Sequence, residues 1–200
     1  MTKIKLCGLS RICDMEAANE LKPDYVGFVF AAKSPRCVTP QIAAELKRRL
    51  DPGIAAVGVF VNENINSVVE LLNRGTIDIA QLHGVEDEEY INRLRSTSGK
   101  PVIKAFRVET QADIIRAQNS TADFVLLDSG NGGTGTVFNW KLIRNIQKPY
   151  FLAGGLQADN VGEAVRALRP YGVDVSSGIE TDGLKDKRKM KNFICAVRSV

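Results

Sequence analysis

Only one histidine, His83, occurs in the 200 residues, and the four cysteines (7, 13, 37 and 195) form no Cys-x-x-Cys pair. A structural zinc site has little to build on. Aromatic residues are scarce, at 6%, and the net charge is only +4, too small to argue for nucleic acid. The longest strongly apolar stretch, residues 54–61, is far short of the roughly 18 residues of a membrane span. The N-terminus lacks the apolar core of a secretory signal. A cytoplasmic protein is therefore expected, with its cysteines as thiols rather than disulfides. The densest basic run, residues 185–191, reads as a solvated helix face. Helix surfaces show no oversized apolar stripe, so a monomer is expected.

What is present is ordinary for a globular chain: 44% apolar and 25% charged residues, enough for one sizeable core and a single domain over residues 1–200. Short apolar or β-branched runs recur at 3–7, 24–30, 54–61, 77–82, 101–106, 123–128, 149–153 and 172–176. Helical patterns lie between them. Ile65, Val68, Val69 and Leu72 share one face, as do Val161, Ala164, Val165 and Leu168, and again Met190, Phe193, Ile194 and Val197. Thr39-Pro40 predicts an N-cap followed by an N1 proline, and Thr110 and Asp159 are further cap candidates. The helical pattern after residues 133–138 is short and weak. Eight strand–helix units predict a parallel sheet covered by helices, closed into a minimal (β/α)8 TIM barrel. The main alternative, an open doubly wound sheet, lacks a Gly-x-Gly-x-x-Gly after the first strand.

In such a barrel the loops at the C-terminal strand ends carry chemistry. Gly154-Gly155 after strand seven and Ser176-Ser177-Gly178 after strand eight fall where barrels bind phosphate with backbone N–H groups. Arg36, just after strand two, offers a fork for a carboxylate. In strand one the odd residues share a face, so Lys5 and Cys7 point together into the barrel, with Ile4 and Leu6 toward the helices. Lys5 below the thiol should favour thiolate, and Asp174 on strand eight is a partner for Lys5. Asp128 ends strand six across the mouth from Cys7, ahead of Gly132-Gly133-Thr134-Gly135, and His83 follows strand four as a substrate contact. Among the thiols, Cys195 is placed in or beside the apolar face of the last helix, and Cys7 is expected to be the most accessible and reactive.

These motifs, taken in order, resemble the phosphoribosylanthranilate isomerase family. They are Lys5-Leu6-Cys7-Gly8-Leu9, Gly27-Phe28-Val29-Phe30 with Ser34-Pro35-Arg36, Val57-Gly58-Val59-Phe60 and Gln81-Leu82-His83-Gly84. They continue with Leu127-Asp128 and Gly132–Gly135, Leu152–Gln157, and Asp174–Glu180. One departure is Asn139 before Trp140, where the family commonly has aspartate. The resemblance implies an Amadori rearrangement of N-(5-phosphoribosyl)anthranilate to 1-(2-carboxyphenylamino)-1-deoxyribulose 5-phosphate in tryptophan biosynthesis. It implies Asp128 as general acid, Cys7 as general base, and Arg36 on the anthranilate carboxylate. Gly154, Gly155, Ser177 and Gly178 would hold the phosphate. It implies no cofactor and no metal, and a phosphorylated small molecule as the partner. Two alternatives remain at this point: the related aminoaldose isomerase of histidine biosynthesis, and a phosphate-metabolite binding barrel without catalysis.

Overall fold

Alternation along Lys3–Cys7 sets the pattern for the whole molecule. Ile4 and Leu6 are buried in the layer between strands and helices, whereas Lys5 and Cys7 point to the barrel interior. The computed structural model describes residues 1–128, 140–143 and 146–200. The Gly132–Gly135 motif and Asn139 lie outside the described residues.

The strands are β1 (Lys3–Cys7), β2 (Tyr25–Val29), β3 (Ala55–Phe60), β4 (Ile79–Leu82), β5 (Val102–Arg107), β6 (Phe124–Asp128), β7 (Tyr150–Ala153) and β8 (Gly172–Val175). All pair in parallel with their sequence neighbours, and β1 pairs with β8 to close the barrel. The closing register sets Lys5 beside Asp174 and Leu6 beside Val175.

The helices are α1 (Ile12–Leu21), α2 (Pro40–Arg49), α3 (Ile65–Asn73), α4 (Glu88–Ser98), α5 (Gln111–Asn119), α6 (Val161–Leu168) and α7 (Lys187–Arg198). Between β6 and β7, where the helical pattern was weakest, the described residues hold a 3-10 turn at Trp140–Ile143. Thr39 caps α2, accepting from Ile42 N–H, and Pro40 opens it. Thr110 begins α5, its N–H bonded to Asp113. The cap expected at Asp159 falls one residue later, at Asn160. Asn160 turns its side chain back to the preceding loop, bonding Gln157 N–H and Gly155 C=O. On α7, Met190, Phe193, Ile194 and Val197 are buried as the periodicity predicts.

Two apolar clusters line the barrel interior, the larger including Val57, Ile79, Ile103 and Leu126 as well as the rings below them. Tyr25, Phe124, Phe151 and Tyr171 pack edge to face or tilted at the N-terminal end, where the Tyr25 and Tyr171 hydroxyls meet at 2.9 Å. Above them Cys7, Val29 and Val59 form a smaller apolar cluster. The lower end is thus plugged by rings, and the polar inward residues gather toward the C-terminal ends of the strands. A short hairpin absent from the sequence reading, β9 (Glu180–Thr181) with β10 (Leu184–Lys185), follows β8. Among the described residues, no helix is long and apolar enough to cross a membrane.

Candidate active site

A cavity of about 320 Å³ opens at the C-terminal mouth, and its wall includes Cys7, Arg36, His83, Asp128 and Asp174. It meets a second hollow of about 430 Å³ along Gly155, Leu156, Ser177 and Gly178, residues common to both walls. The barrel therefore brings every candidate residue to one face.

At the floor, Lys5 is fully buried and its Nζ lies 2.8 Å from Asp174 Oδ1. Gly27 on β2 makes room above it: a Cβ there would sit 2.7 Å from Cys7 Sγ and 3.2 Å from Lys5 Nζ. The thiol and the ammonium thus pack over the same bare backbone. Cys7 is buried, and burial pushes its thiol up from the ordinary value, with Lys5 pulling against that. This corrects the expectation of an accessible, ready-made thiolate. The surface cysteines are Cys13, Cys37 and Cys195, the last facing solvent instead of joining the apolar face of α7.

Across the mouth, Asp128 ends β6 and His83 follows β4, with Nε2 3.8 Å from Asp128 Oδ2. Burial pushes the imidazole below its ordinary value, with Asp128 opposing, which favours the neutral ring. Its Nδ1 meets Gln81 Nε2 at 3.2 Å, and Gln81, itself buried, keeps Oε1 without a partner among the described residues. The loop carrying His83 is held from below. Lys104 Nζ reaches Gly84 C=O at 2.7 Å and Glu86 Oε2 at 2.8 Å, and Glu86 accepts from the N–H groups of Asn62 and Gly84. This buried pair was not legible as functional support, because nothing local marks Lys104 as buried or Glu86 as its partner.

Arg36 lines the cavity, but its fork already meets a carboxylate of the same chain. Nε and Nη2 donate to the two oxygens of Glu180, both at 2.6 Å. Glu180 also accepts from Lys185, whose Nζ donates to Ser176 C=O at 2.9 Å and Ser176 Oγ at 3.2 Å. The reading of residues 185–191 as a solvated face therefore fails at Lys185, which is buried. It fails also at Lys189, which lines the second hollow and donates to Glu180 C=O at 2.6 Å. Glu180 and Lys189 are the site residues that sequence reasoning missed. The one available signal was an acidic residue two positions after the Ser177-Gly178 turn, followed by a lysine-rich run.

The second hollow has the geometry of an anion cradle. Gly154 and Gly155 have φ of +88° and +64°, a backbone region that side chains disfavour. At Gly178 a Cβ would lie 2.1 Å from Leu156 C=O, so the β7 and β8 loops touch through bare backbone. Asp186 caps α7 beside them, accepting from Arg188 and Lys189 N–H. Among the described residues, no group of three His, Cys, Asp or Glu side chains could hold a metal ion.

A closed eight-stranded parallel barrel with a polar, glycine-rimmed cavity at the C-terminal ends of its strands is an enzyme barrel. The family model for N-(5'-phosphoribosyl)anthranilate (PRA) isomerase matches residues 4–196. The chain is 47% identical over 204 residues to the N-(5'-phosphoribosyl)anthranilate isomerase of Endomicrobium trichonymphae, covering 100% of both chains. It is 48% identical over 206 residues to that of Clostridium acetobutylicum, covering 99% of this chain and 98% of the relative. The crystal structure of phosphoribosyl anthranilate isomerase from Thermotoga maritima superposes with a TM-score of 0.92 at 36% identity, over 100% of both chains. A phosphoribosyl anthranilate isomerase in complex with reduced 1-(o-carboxyphenylamino)-1-deoxyribulose 5-phosphate matches with a TM-score of 0.89 at 35% identity, again over 100% of both. The chain belongs to the N-(5'-phosphoribosyl)anthranilate isomerase family. It is an isomerase of tryptophan biosynthesis that converts an aldose derivative into a ketose. The histidine-pathway isomerase and the non-catalytic binder are thereby set aside.

Proposed function

We propose that Cys7 and Asp128 are the base and acid of this isomerisation, that Arg36 holds the anthranilate carboxylate, and that Gly154, Gly155, Ser177 and Gly178 hold the phosphate. One observation carries the reading: Cys7 and Asp128 line a single cavity that runs directly into the glycine-rimmed hollow. A phosphate seated over Gly155 and Gly178 leaves the ribose between thiol and carboxyl, and the aromatic carboxylate toward Arg36.

In the first step Asp128 gives its proton to the furanose ring oxygen. The C1–O bond breaks as the nitrogen lone pair forms a C1=N iminium. Cys7, as thiolate, then takes the C2 proton, and the electron pair left behind forms C1=C2 while the iminium π electrons return to nitrogen. The enolamine gains a proton at C1 and loses one from the C2 hydroxyl, giving the ketone. Lys5 steadies the thiolate, with Asp174 holding the ammonium in place. His83, neutral beside Asp128, contacts the substrate from the β4 loop. The substrate's own nitrogen is the electron sink.

The rest of the reading concerns setting. We propose a monomer acting in the cytoplasm on a free phosphorylated metabolite. Large exposed apolar residues such as Ile42 on α2, Val85 in the loop after β4 and Ile115 on α5 are spread over separate segments, and a catalytic thiol suits a reducing compartment.

The test is turnover of N-(5-phosphoribosyl)anthranilate, followed by its fluorescence, in Cys7→Ala and Asp128→Ala. Each should lower kcat by about 10²–10⁴-fold while product affinity stays within a few-fold. Near-full turnover in either variant removes that residue from the mechanism.

A further inference from the structure

The Arg36 head group is held from behind. Glu180 takes the Nε–Nη2 edge of the guanidinium with both carboxylate oxygens at 2.6 Å, a bidentate charge-assisted pair. A guanidinium has five N–H donors in a fixed plane, so the Nη1–Nη2 edge keeps its own pair of donors. Arg36 belongs to the cavity wall and Glu180, which holds its Nε–Nη2 edge, does not. The stem is seated independently: a Cβ on Gly8, whose φ is +79°, would stand 2.5 Å from Arg36 Cδ. Glu180 is buried at 8% side-chain exposure and is anchored in turn by Lys185, which grips Ser176.

We infer that Glu180 is a positioning residue, holding Arg36 so that its free edge meets the substrate carboxylate. This rests on the reading of Arg36 as the carboxylate-binding residue. Burial pushes the Glu180 carboxyl up, but Arg36 and Lys185 more than reverse that, so it stays ionised and gripping across the neutral range. Arg36 and Lys185 against Glu180 leave this group with one net positive charge, the sign that an anionic substrate requires. The Ser176 contact ties the carboxylate fork to the β8 loop that carries Ser177 and Gly178, so both anionic ends of the substrate are referenced to one rigid unit.

Steady-state kinetics on Glu180→Gln, Glu180→Asp, Arg36→Ala and the Arg36→Ala/Glu180→Gln double variant test the inference. Glu180→Gln should raise KM about tenfold, as for one weakened charged hydrogen-bond pair, with kcat within about threefold. Glu180→Asp keeps the charge beside Lys185 but falls one methylene short of the fork, and should raise KM similarly. In the Arg36→Ala background Glu180→Gln should add nothing to KM. Partial misfolding lowers the active fraction, and so kcat, without moving KM. That separates positioning from a merely structural role, and Glu180→Asp serves if Glu180→Gln does not fold. If Arg36→Ala raises KM while both Glu180 variants leave it unchanged, the positioning inference is overturned and the Arg36 reading stands. If Arg36→Ala leaves KM unchanged, the Arg36 reading fails first. A fall in KM in Glu180→Gln would show that Glu180 competes with substrate for Arg36, and would overturn positioning.

Discussion

Lys5 Nζ lies 2.8 Å from Asp174 Oδ1 on the seam where β1 closes onto β8, with Cys7 next along the same inward face. Burial pulls the Lys5 ammonium down, but Asp174 and then Cys7 raise it more, leaving it above the ordinary lysine value. For Cys7 the balance is reversed: burial, with Asp174 adding, outweighs Lys5, and the thiol is raised. For the proposed base Cys7, that direction favours the protonated thiol at rest. We expect kcat/KM to rise as pH increases from neutral into the alkaline range, because the active form is the deprotonated one. Lys5→Met should push the thiol higher still, lowering kcat/KM at pH 7 about tenfold for each unit of that move. Removing Lys5 alone leaves Asp174, which lines the cavity, without its cation, so Lys5→Met/Asp174→Asn should be measured beside it. A pH profile unchanged in both variants would detach Lys5 from the base.

Alkylation should follow exposure. Cys13, Cys37 and Cys195 are exposed and Cys7 is buried, with its thiol raised by that burial. A substoichiometric alkylating reagent should label the three surface thiols first and leave most activity intact. Activity should fall later, in step with modification of Cys7, as peptide mass spectrometry can map. Early inactivation with Cys7 labelled first would mean that the cavity admits reagents more freely than the packing allows.

The β7–β8 contact predicts a binding defect without loss of fold. Gly178→Ala drives a Cβ into Leu156 C=O, parting the two loops of the glycine-rimmed hollow. On the proposed phosphate role of that hollow, we expect KM to rise about tenfold or more, since its backbone N–H groups would move together, and competitive inhibition by inorganic phosphate to weaken in parallel. In contrast, Gly162→Ala in α6 meets only ordinary contacts, the nearest 3.7 Å away. It should leave KM unchanged and raise stability by about 0.5–1 kcal/mol.

Acid stability should depend on Glu86. Burial raises its carboxyl, but Lys104 and the Asn62 N–H hold it below the ordinary glutamate value in the folded chain. A depressed folded value contributes stability above the unfolded glutamate value of about 4.3 and loses it as pH falls through the folded one. Glu86→Gln should thus lower Tm most near neutral pH, and the gap to wild type should narrow below about pH 4. A gap independent of pH would show that Glu86 stabilises by packing and hydrogen bonding alone.

The strand runs, the inward face of β1 and the N-caps at Thr39 and Thr110 were legible because each is a local choice. Alternation, helical spacing and a hydroxyl before a helix act over a few residues, and the barrel closure inferred from eight such units holds. The glycine turns after β7 were legible for the same reason: their positive φ is a property of one residue and its neighbours. Asp159 misled because Asp and Asn both cap helices, and the choice fell to loop bonds made by Asn160.

Lys5–Asp174 could be read because a closed barrel sets strand eight beside strand one, but the other pairings across the chain were not local and could not be read in the same way. Arg36 and Glu180 stand 144 residues apart, and Lys104 and Glu86 belong to different strands and loops. Residues 185–191 read as one charged run, yet the hairpin turns Lys185 into the interior while Lys187 and Arg188 stay in water. The same composition thus yields a buried cation and solvated ones, because burial depends on what the returning chain brings alongside. Cys7 is the clearest case. Its inward direction follows from alternation in five residues, but whether its thiol is reactive depends on the depth of the cavity and on the distances to Lys5 and Asp174. Those are electrostatic quantities set by low local dielectric and by the β1–β8 register.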